Sequence, residues 1–200
     1  MLKLHFAPLT RSIRIRWLLE ELELPYELVR TSFIRDGNKG FAQNTPSGNF
    51  PFIEDGGVTL SESGAIVQYI LERYGDGRLE PVIGSSNRPA YLRWLHFAEG
   101  TAANPINNIV WLTVYRQDAD QHVAIIDATR SSVEVIFGEV ESALADQPFL
   151  AGDSLTAADI MMGFTLLSAR WLKLLTDRYP RTLDYVDRLM ARPALQMSLN

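Results

Sequence analysis

The repeat distance of the apolar residues changes along the chain, and this change constrains the fold more than any other feature of the sequence. Leu2, Leu4 and Phe6 alternate with polar residues, which is the two-residue period of a strand with one buried face. From Ile13 the spacing becomes helical, and a second strand-like run starts at Pro25, a residue that cannot continue a helix. A strand, a helix and a strand in this order predict a parallel, right-handed crossover unit.

A hairpin and a helix are predicted next. The strings PFIE and VTL flank the turn-forming sequence Asp55-Gly56-Gly57, a pattern typical of two antiparallel strands. The string ESGAIVQYILERYG has helical spacing and ends at Gly75, a residue favoured at the carboxyl end of helices. The first part of the chain therefore predicts a βαβ unit followed by a ββα unit.

The sequence GDGRLEPVIGSSNRP, residues 75–89, is rich in turn formers and predicts a linker. Every periodic segment after it has helical spacing. Within these segments Thr156 and Asp159 match a capping box, and Pro180 stands where a helix accepts proline at its first position. We predict an α/β domain over residues 1–77 and an all-α domain over residues 87–200.

Composition excludes several classes of protein. The 200 residues carry a net charge of −5, without the basic excess that nucleic-acid binding requires. Cysteine is absent, which excludes disulfides, zinc-thiolate sites and a protein thiol nucleophile. The three histidines are scattered and offer no metal-ligand set. No apolar run has the length of a membrane span or a signal peptide, so we expect a cytoplasmic protein without membrane contact.

Five strings of the sequence carry a resemblance to a known family. They are APLTRSIRIRWLLEEL, NTPSGNFPFIED, SESGAIVQYI, YLRWLHFAEG and FLAGDSLTAADI, in the family's order and over nearly the whole chain. On these strings the chain resembles the cytosolic glutathione transferases, above all the bacterial and fungal type with a serine- or threonine-arginine turn after the first strand. The resemblance implies a thioredoxin-like glutathione-binding domain of βαβ-ββα topology, followed by an all-helical domain that contributes the acceptor pocket.

The resemblance gives the Ser61-Glu62-Ser63 triplet a role in binding the γ-glutamyl end of glutathione. This end carries an α-ammonium and an α-carboxylate. Glu62 is expected to bind the ammonium, and the hydroxyl and amide of Ser63 to bind the carboxylate, because the start of a helix favours negative charge. The alternative is that the three residues only cap the helix.

The same resemblance implies a cis peptide bond between Phe50 and Pro51. In relatives such a bond turns the amide and carbonyl of the preceding residue toward the cysteinyl backbone of glutathione, which pairs with it as an added strand does. The alternative is a proline at a strand edge without a ligand. Asn49 stands where relatives often have lysine, so its contact would be a neutral hydrogen bond. Lys39 is a candidate replacement cation, or else an exposed surface lysine.

A transferase must stabilise the glutathione thiolate, and relatives use a tyrosine late in the first strand or a serine just after it. The tyrosine position is occupied here by Phe6, which has no donor, and the serine position by Thr10. Thr10 is therefore the first candidate catalytic residue, and it could also cap the first helix. Ser12 is the reserve candidate.

Three arginines follow this turn. Arg11 could add positive potential beside the thiolate. Otherwise the cluster of Arg11, Arg14 and Arg16 is predicted to form a solvated face of the first helix.

Three functions fit the resemblance. The first is a glutathione S-transferase that conjugates the thiolate to a hydrophobic electrophile. The second is a glutathione-dependent peroxidase or reductase without a protein cysteine, and the third is a non-catalytic glutathione-binding module. The expected partners are glutathione as co-substrate, a small electrophile and a second copy of the chain. Candidate lining residues of an acceptor pocket between the domains are Asn104, Asn107, Trp111 and Tyr115. The alternative is that each of them contributes to the helical core or to a dimer contact.

Overall fold

The computed structural model describes residues 1–31 and 48–200. These residues divide into two compact units. Unit 1 comprises Met1–Glu80 together with Met190–Asn200, and unit 2 comprises Pro81–Leu189. Lys39, the candidate cation, lies outside the described residues.

Unit 1 is built on a four-stranded mixed sheet with strand order β2-β1-β3-β4. Strand β1 pairs in parallel with β2 and antiparallel with β3, and β3 pairs with β4 as a hairpin. The predicted βαβ and ββα units, and with them the α/β class of this part of the chain, are confirmed. The elements are β1 (Leu2–Phe6), α1 (Ser12–Glu21), β2 (Tyr26–Arg30), β3 (Phe52–Asp55), β4 (Val58–Ser61) and α2 (Ser63–Ile70), which continues as a π-helical turn (Leu71–Gly75).

Helix α1 is buried on nearly every side, from Ser12 to Leu19. The prediction that its arginines form a solvated face is wrong for two of them, since Arg14 is 1% exposed and Arg16 is 8% exposed. Both have polar partners inside the unit, which offset the cost of removing a charge from water. Arg14 Nη1 donates to Ser63 Oγ at 3.1 Å, and Arg16 Nε donates to the hydroxyl of Tyr26 at 3.2 Å.

The carboxyl end of the chain belongs to unit 1, whereas the sequence assigned it to the helical domain that starts at residue 87. Helix α8 (Pro193–Leu199) packs against α1. Arg192, just before it, binds the Glu21 carboxylate through Nε at 2.6 Å and Nη2 at 2.7 Å. Trp17 Nε1 donates to the same carboxylate at 2.8 Å. This two-bond ion pair explains why the end of the chain belongs to unit 1 and not to the helical domain, because it ties the end of the chain to α1.

Unit 2 is helical, as predicted. The capping box at the start of α6 is confirmed, since the Thr156 amide donates to Asp159 Oδ2 at 2.8 Å, and Pro180 is the first residue of α7. Within residues 1–31 and 48–200, no helix is both long and apolar enough to cross a membrane. The helices are α3 (Arg88–Phe97), α4 (Ala103–Val110), α5 (Val123–Ala143), α6 (Ala157–Trp171) and α7 (Pro180–Met190), with π-helical turns at Ala98–Ala102 and Trp111–Tyr115.

A buried carboxylate joins α2 and its π-helical turn to the β3-β4 hairpin. Asp55, at the end of β3, is 6% exposed. Its Oδ2 accepts hydrogen bonds from the hydroxyls of Tyr74 at 2.5 Å and Tyr69 at 2.9 Å, and Arg73 Nε lies 3.5 Å away. The Tyr74 hydroxyl, aided by Tyr69 and Arg73, holds the pKa of Asp55 below its usual value against the opposing effect of burial.

We expect Asp55→Asn to lower the free energy of unfolding at pH 7 by about 2 kcal/mol, because a buried charged acceptor is lost. The folded-state pKa of Asp55 is depressed, so its contribution is present above the unfolded pKa of about 3.9 and is lost as pH falls through the folded pKa. Urea unfolding should therefore show a smaller difference between variant and native protein at pH 3 than at pH 7. The control is the exposed Asp76→Asn. Equal differences at both pH values would contradict the assignment.

Candidate active site

The turn between β1 and α1 places two hydroxyl groups side by side. Thr10 Oγ1 and Ser12 Oγ are 2.6 Å apart, and they lie 2.7 Å and 2.8 Å from the carbonyl oxygen of Ala7. The Ala7 amide donates to Ser12 Oγ at 3.1 Å, and the Ser12 amide donates to Thr10 Oγ1 at 3.2 Å. The second of these bonds satisfies the first amide of α1, but Arg11, and not Thr10 as the sequence allowed, is the N-cap residue of that helix.

The two hydroxyls differ in accessibility. Ser12 is completely buried, whereas Thr10 is half-buried. Each hydroxyl has one proton, so Ser12 can donate to the Ala7 carbonyl or to Thr10 Oγ1 while the Thr10 proton turns toward a ligand. Of the two candidates named from the sequence, only Thr10 is partly exposed.

Phe6, at the position where relatives have tyrosine, is 1% exposed. The guanidinium groups of Arg16 and Arg30 lie 5.4 Å and 5.5 Å from its ring centroid, within the range of cation–π contacts. Phe6 therefore belongs to the core of unit 1 and offers no hydrogen-bond donor to a ligand.

The peptide bond between Phe50 and Pro51 is cis, as the resemblance implies. Phe50 is 8% exposed and packs in one cluster with Ala7 and Phe52. Because Ala7 also accepts from Thr10 and Ser12, this cluster brings the Phe50–Pro51 segment beside the hydroxyl turn. Asn49 precedes it and is exposed.

The start of α2 supplies an exposed carboxylate and a buried hydroxyl. Glu62 has φ 71° and ψ 111°, a left-handed backbone that is unusual for a residue with a side chain, and such outliers are common at functional sites. Its side chain makes no capping hydrogen bond to α2 within the described part of the chain, which disfavours a purely capping role. Ser63 is 3% exposed, and its Oγ accepts from Arg14.

These groups produce a local separation of charge. The first amides of α2 and the Arg14 guanidinium provide positive potential around Ser63, and the neighbouring Glu62 carboxylate provides negative potential. Such a pair can hold the two charges of an amino-acid head group. No cluster of three potential ligands for a metal ion occurs in residues 1–31 and 48–200.

Comparison with known families agrees with this geometry. The model of the glutathione S-transferase N-terminal domain matches residues 2–72, and that of the glutathione S-transferase C-terminal domain matches residues 103–193. The chain belongs to the glutathione S-transferase family. The resemblance noted from the five sequence strings is thereby confirmed, and so is the fold of a thioredoxin-like domain followed by helices.

Individual members of the family are similar over almost their whole length. Glutathione S-transferase 3 of Schizosaccharomyces pombe is 29% identical over 204 residues, covering 89% of this chain and 84% of its own. A glutathione S-transferase of Actinobacillus pleuropneumoniae superposes with a TM-score of 0.83 at 27% identity, covering 99% of this chain and 91% of its own. The transferase URE2P6 of Phanerochaete chrysosporium, solved with oxidized glutathione, has a TM-score of 0.81 at 25% identity, covering 98% of this chain and 94% of its own.

Within unit 1, the turn with Thr10 and Ser12 lies beside Phe50 through Ala7, and Ser63 is joined to α1 by Arg14; that they form one site stays a prediction. The contact between Arg14 and Ser63 was not predicted from the sequence. The burial of Arg14 could have been predicted from the sequence, because apolar residues surround it on all sides of α1 and indicate a helix without a solvated face. The residues expected to line an acceptor pocket lie in unit 2. Trp111 and Tyr115 are 57% and 47% exposed, with ring centroids 6.1 Å apart. Their role as pocket residues stays a prediction.

Proposed function

We propose that this member of the family is a glutathione S-transferase that conjugates the glutathione thiolate to a small hydrophobic electrophile. The observation that supports it best is the Thr10 hydroxyl of a partly exposed residue, held by Ser12 and Ala7 in the same unit as the Glu62 carboxylate and the Ser63 hydroxyl. A hydroxyl donor and a zwitterion site are what a thiol carrying an amino-acid head group requires.

In the proposed complex, glutathione lies extended along unit 1. Glu62 binds its α-ammonium, and the Ser63 hydroxyl and amide bind its α-carboxylate. The backbone of Phe50, before Pro51, pairs with the cysteinyl residue of the ligand, and Asn49 offers a neutral hydrogen bond to the rest of the tripeptide. The thiol then lies at the Thr10 turn.

Thiolate stabilisation is the chemical contribution of the protein. A free thiol has a pKa of about 8.5, and each unit of depression requires ~1.4 kcal/mol of preferential binding of the anion. Thr10 donates its proton to the sulfur, and Ser12 keeps its own donation to the Ala7 carbonyl. The sulfur attacks the electrophilic carbon, a carbon–sulfur bond forms, and the leaving group departs with its electron pair. The protein supplies positioning and anion stabilisation.

A second candidate function is the reduction of disulfides or peroxides by glutathione. It is favoured by the similar Phanerochaete transferase, whose structure contains oxidized glutathione. Because this chain has no cysteine, the mixed disulfide or sulfenic acid would form on the bound glutathione sulfur. That first attack releases a thiolate from the disulfide or an alcohol from the peroxide. A second glutathione thiolate would then attack the same sulfur and form oxidized glutathione, displacing the remaining thiolate of the mixed disulfide or, with a proton, water from the sulfenic acid. Each glutathione thus supplies one of the two electrons.

Two assays with glutathione separate these functions. We expect the protein to conjugate a chlorinated aromatic compound, with release of chloride, and to turn over cumene hydroperoxide more slowly. Faster turnover of the hydroperoxide would favour the second function. Glutathione binding in a calorimeter without turnover of either compound would contradict both and identify a non-catalytic glutathione-binding module.

Thr10→Val should raise the pKa of the bound glutathione thiol by about one unit, equivalent to ~1.4 kcal/mol, because the donor to the sulfur is lost. The ultraviolet absorbance of the thiolate, followed across pH, measures this shift. The affinity for S-methylglutathione, which has no ionisable thiol, should be unchanged. An unchanged titration curve would remove Thr10 from the mechanism, and a larger shift in Ser12→Ala than in Thr10→Val would make Ser12 the principal residue.

Glu62→Gln should weaken glutathione binding about tenfold, or ~1.4 kcal/mol, because the ammonium loses its anionic partner. Isothermal titration calorimetry measures the change. Glu72→Gln, an exposed glutamate on the same helical segment, is the matched control and should bind normally. Affinity retained by the Glu62 variant would show that the γ-glutamyl assignment is wrong.

We also propose that the protein acts as a two-fold homodimer in the cytoplasm, in the removal of reactive electrophiles. A groove of about 690 Å³ lies between α4 and α5 within unit 2. It is lined in part by Ile125 and Val135, which are 56% and 65% exposed. Exposed apolar surface of this kind favours association, and two-fold dimers are the commonest soluble oligomers. A cytoplasmic site of action fits a co-substrate that reducing compartments keep as a thiol.

A further inference from the structure

The most deeply buried charged side chain near the proposed glutathione site is Arg14 of α1. It is 1% exposed, and its Nη1 lies 3.1 Å from the Oγ of Ser63, a residue 49 positions further along the chain. We infer that Arg14 is a positioning residue that makes the Ser63 hydroxyl selective for the α-carboxylate of the γ-glutamyl group. This inference rests on the proposed function.

Hydrogen-bond chemistry fixes the direction of the bond between these two residues. A guanidinium has only donors, so Ser63 Oγ must be the acceptor. A serine hydroxyl has a single proton, and with its oxygen engaged by Arg14 that proton is available to a ligand. The bond therefore turns Ser63 into a donor toward the ligand, and a carboxylate is the acceptor that gains most from it.

The positive charge of Arg14 also favours a carboxylate next to Ser63. The guanidinium stays protonated at all pH values relevant to proteins, and burial strengthens its field at short range because little water screens it. A carboxylate oxygen that accepts from Ser63 Oγ would lie within about 6 Å of Arg14 Nη1, given ordinary hydrogen-bond lengths. The amides at the start of α2 add to this field. A neutral group at the same place would gain from none of these charges.

Arg16 provides a built-in comparison. It lies on the same helix and is 8% exposed, but its Nε donates to Tyr26 and its guanidinium lies over Phe6. Loss of Arg16 therefore tests the general cost of removing a buried arginine from α1. Loss of Arg14 adds to that cost the specific effect on Ser63.

The experiment compares two ligands by isothermal titration calorimetry. One is glutathione, and the other is 4-aminobutanoyl-cysteinyl-glycine, which has the same chain and amine but lacks the α-carboxylate. The native protein should prefer glutathione. Arg14→Met should bind glutathione at least tenfold more weakly and the decarboxylated analogue less than twofold more weakly. Arg16→Met should leave the ratio of the two affinities unchanged.

The other possible results would contradict either the role of Arg14 or the proposed function on which it rests. Equal weakening of both ligands in Arg14→Met would overturn it and leave the proposed function intact. A native protein that binds glutathione no better than the analogue would overturn both the carboxylate assignment and this inference, and a native protein that binds neither would overturn the proposed function. If Arg14→Met does not fold, Arg14→Lys serves instead. Its ratio of affinities should fall about threefold, since lysine lacks the planar fork of donors, and an unchanged ratio would overturn the inference.

Discussion

Helix α1 is the element on which the geometry of unit 1 depends, because it directs a polar side chain toward each neighbouring segment. Buried apolar residues of this helix supply most of its stabilisation, but apolar contacts alone allow a helix to slide or rotate against a sheet. Hydrogen bonds between buried groups have direction and penalise such movement, since a displaced partner would be left unsatisfied. The bonds join Ser12 to Ala7, Arg14 to Ser63, Arg16 to Tyr26 and Glu21 to Arg192.

The same helix connects the two ends of the proposed ligand site. Its first residue, Ser12, contacts the hydroxyl proposed to face the sulfur, and Arg14 contacts the hydroxyl proposed to bind the head group. The distance between the thiol site and the head-group site is therefore set by two residues on one turn of a rigid element. In the proposed function this arrangement favours a ligand of fixed length, because both contacts must be made at once.

The family strings named Thr10, Phe50 and Ser63, and that these residues form one site stays a prediction. The sequence predicted the strands, the hairpin and the helical unit because each has a clear apolar period. It failed where burial depends on a partner far away along the chain. Arg14 was assigned to a solvated face because its partner is 49 residues away. Helix α8 has seven residues, too few for a readable period, and it is tied to unit 1 by Arg192 and Glu21, 171 residues apart.

The relation between Thr10 and Ser12 shows what local geometry adds to a family pattern. Both residues are hydroxyl donors two positions apart, and the sequence offered no means to rank them beyond alignment. Burial separates their roles, because Ser12 is enclosed and already donates to or accepts from Ala7. Since Ser12 satisfies the inner carbonyl, the Thr10 proton is not needed there. In the proposed function of this chain, which has no cysteine and has phenylalanine at the tyrosine position, that proton is the one that the β1-α1 turn offers to the thiolate.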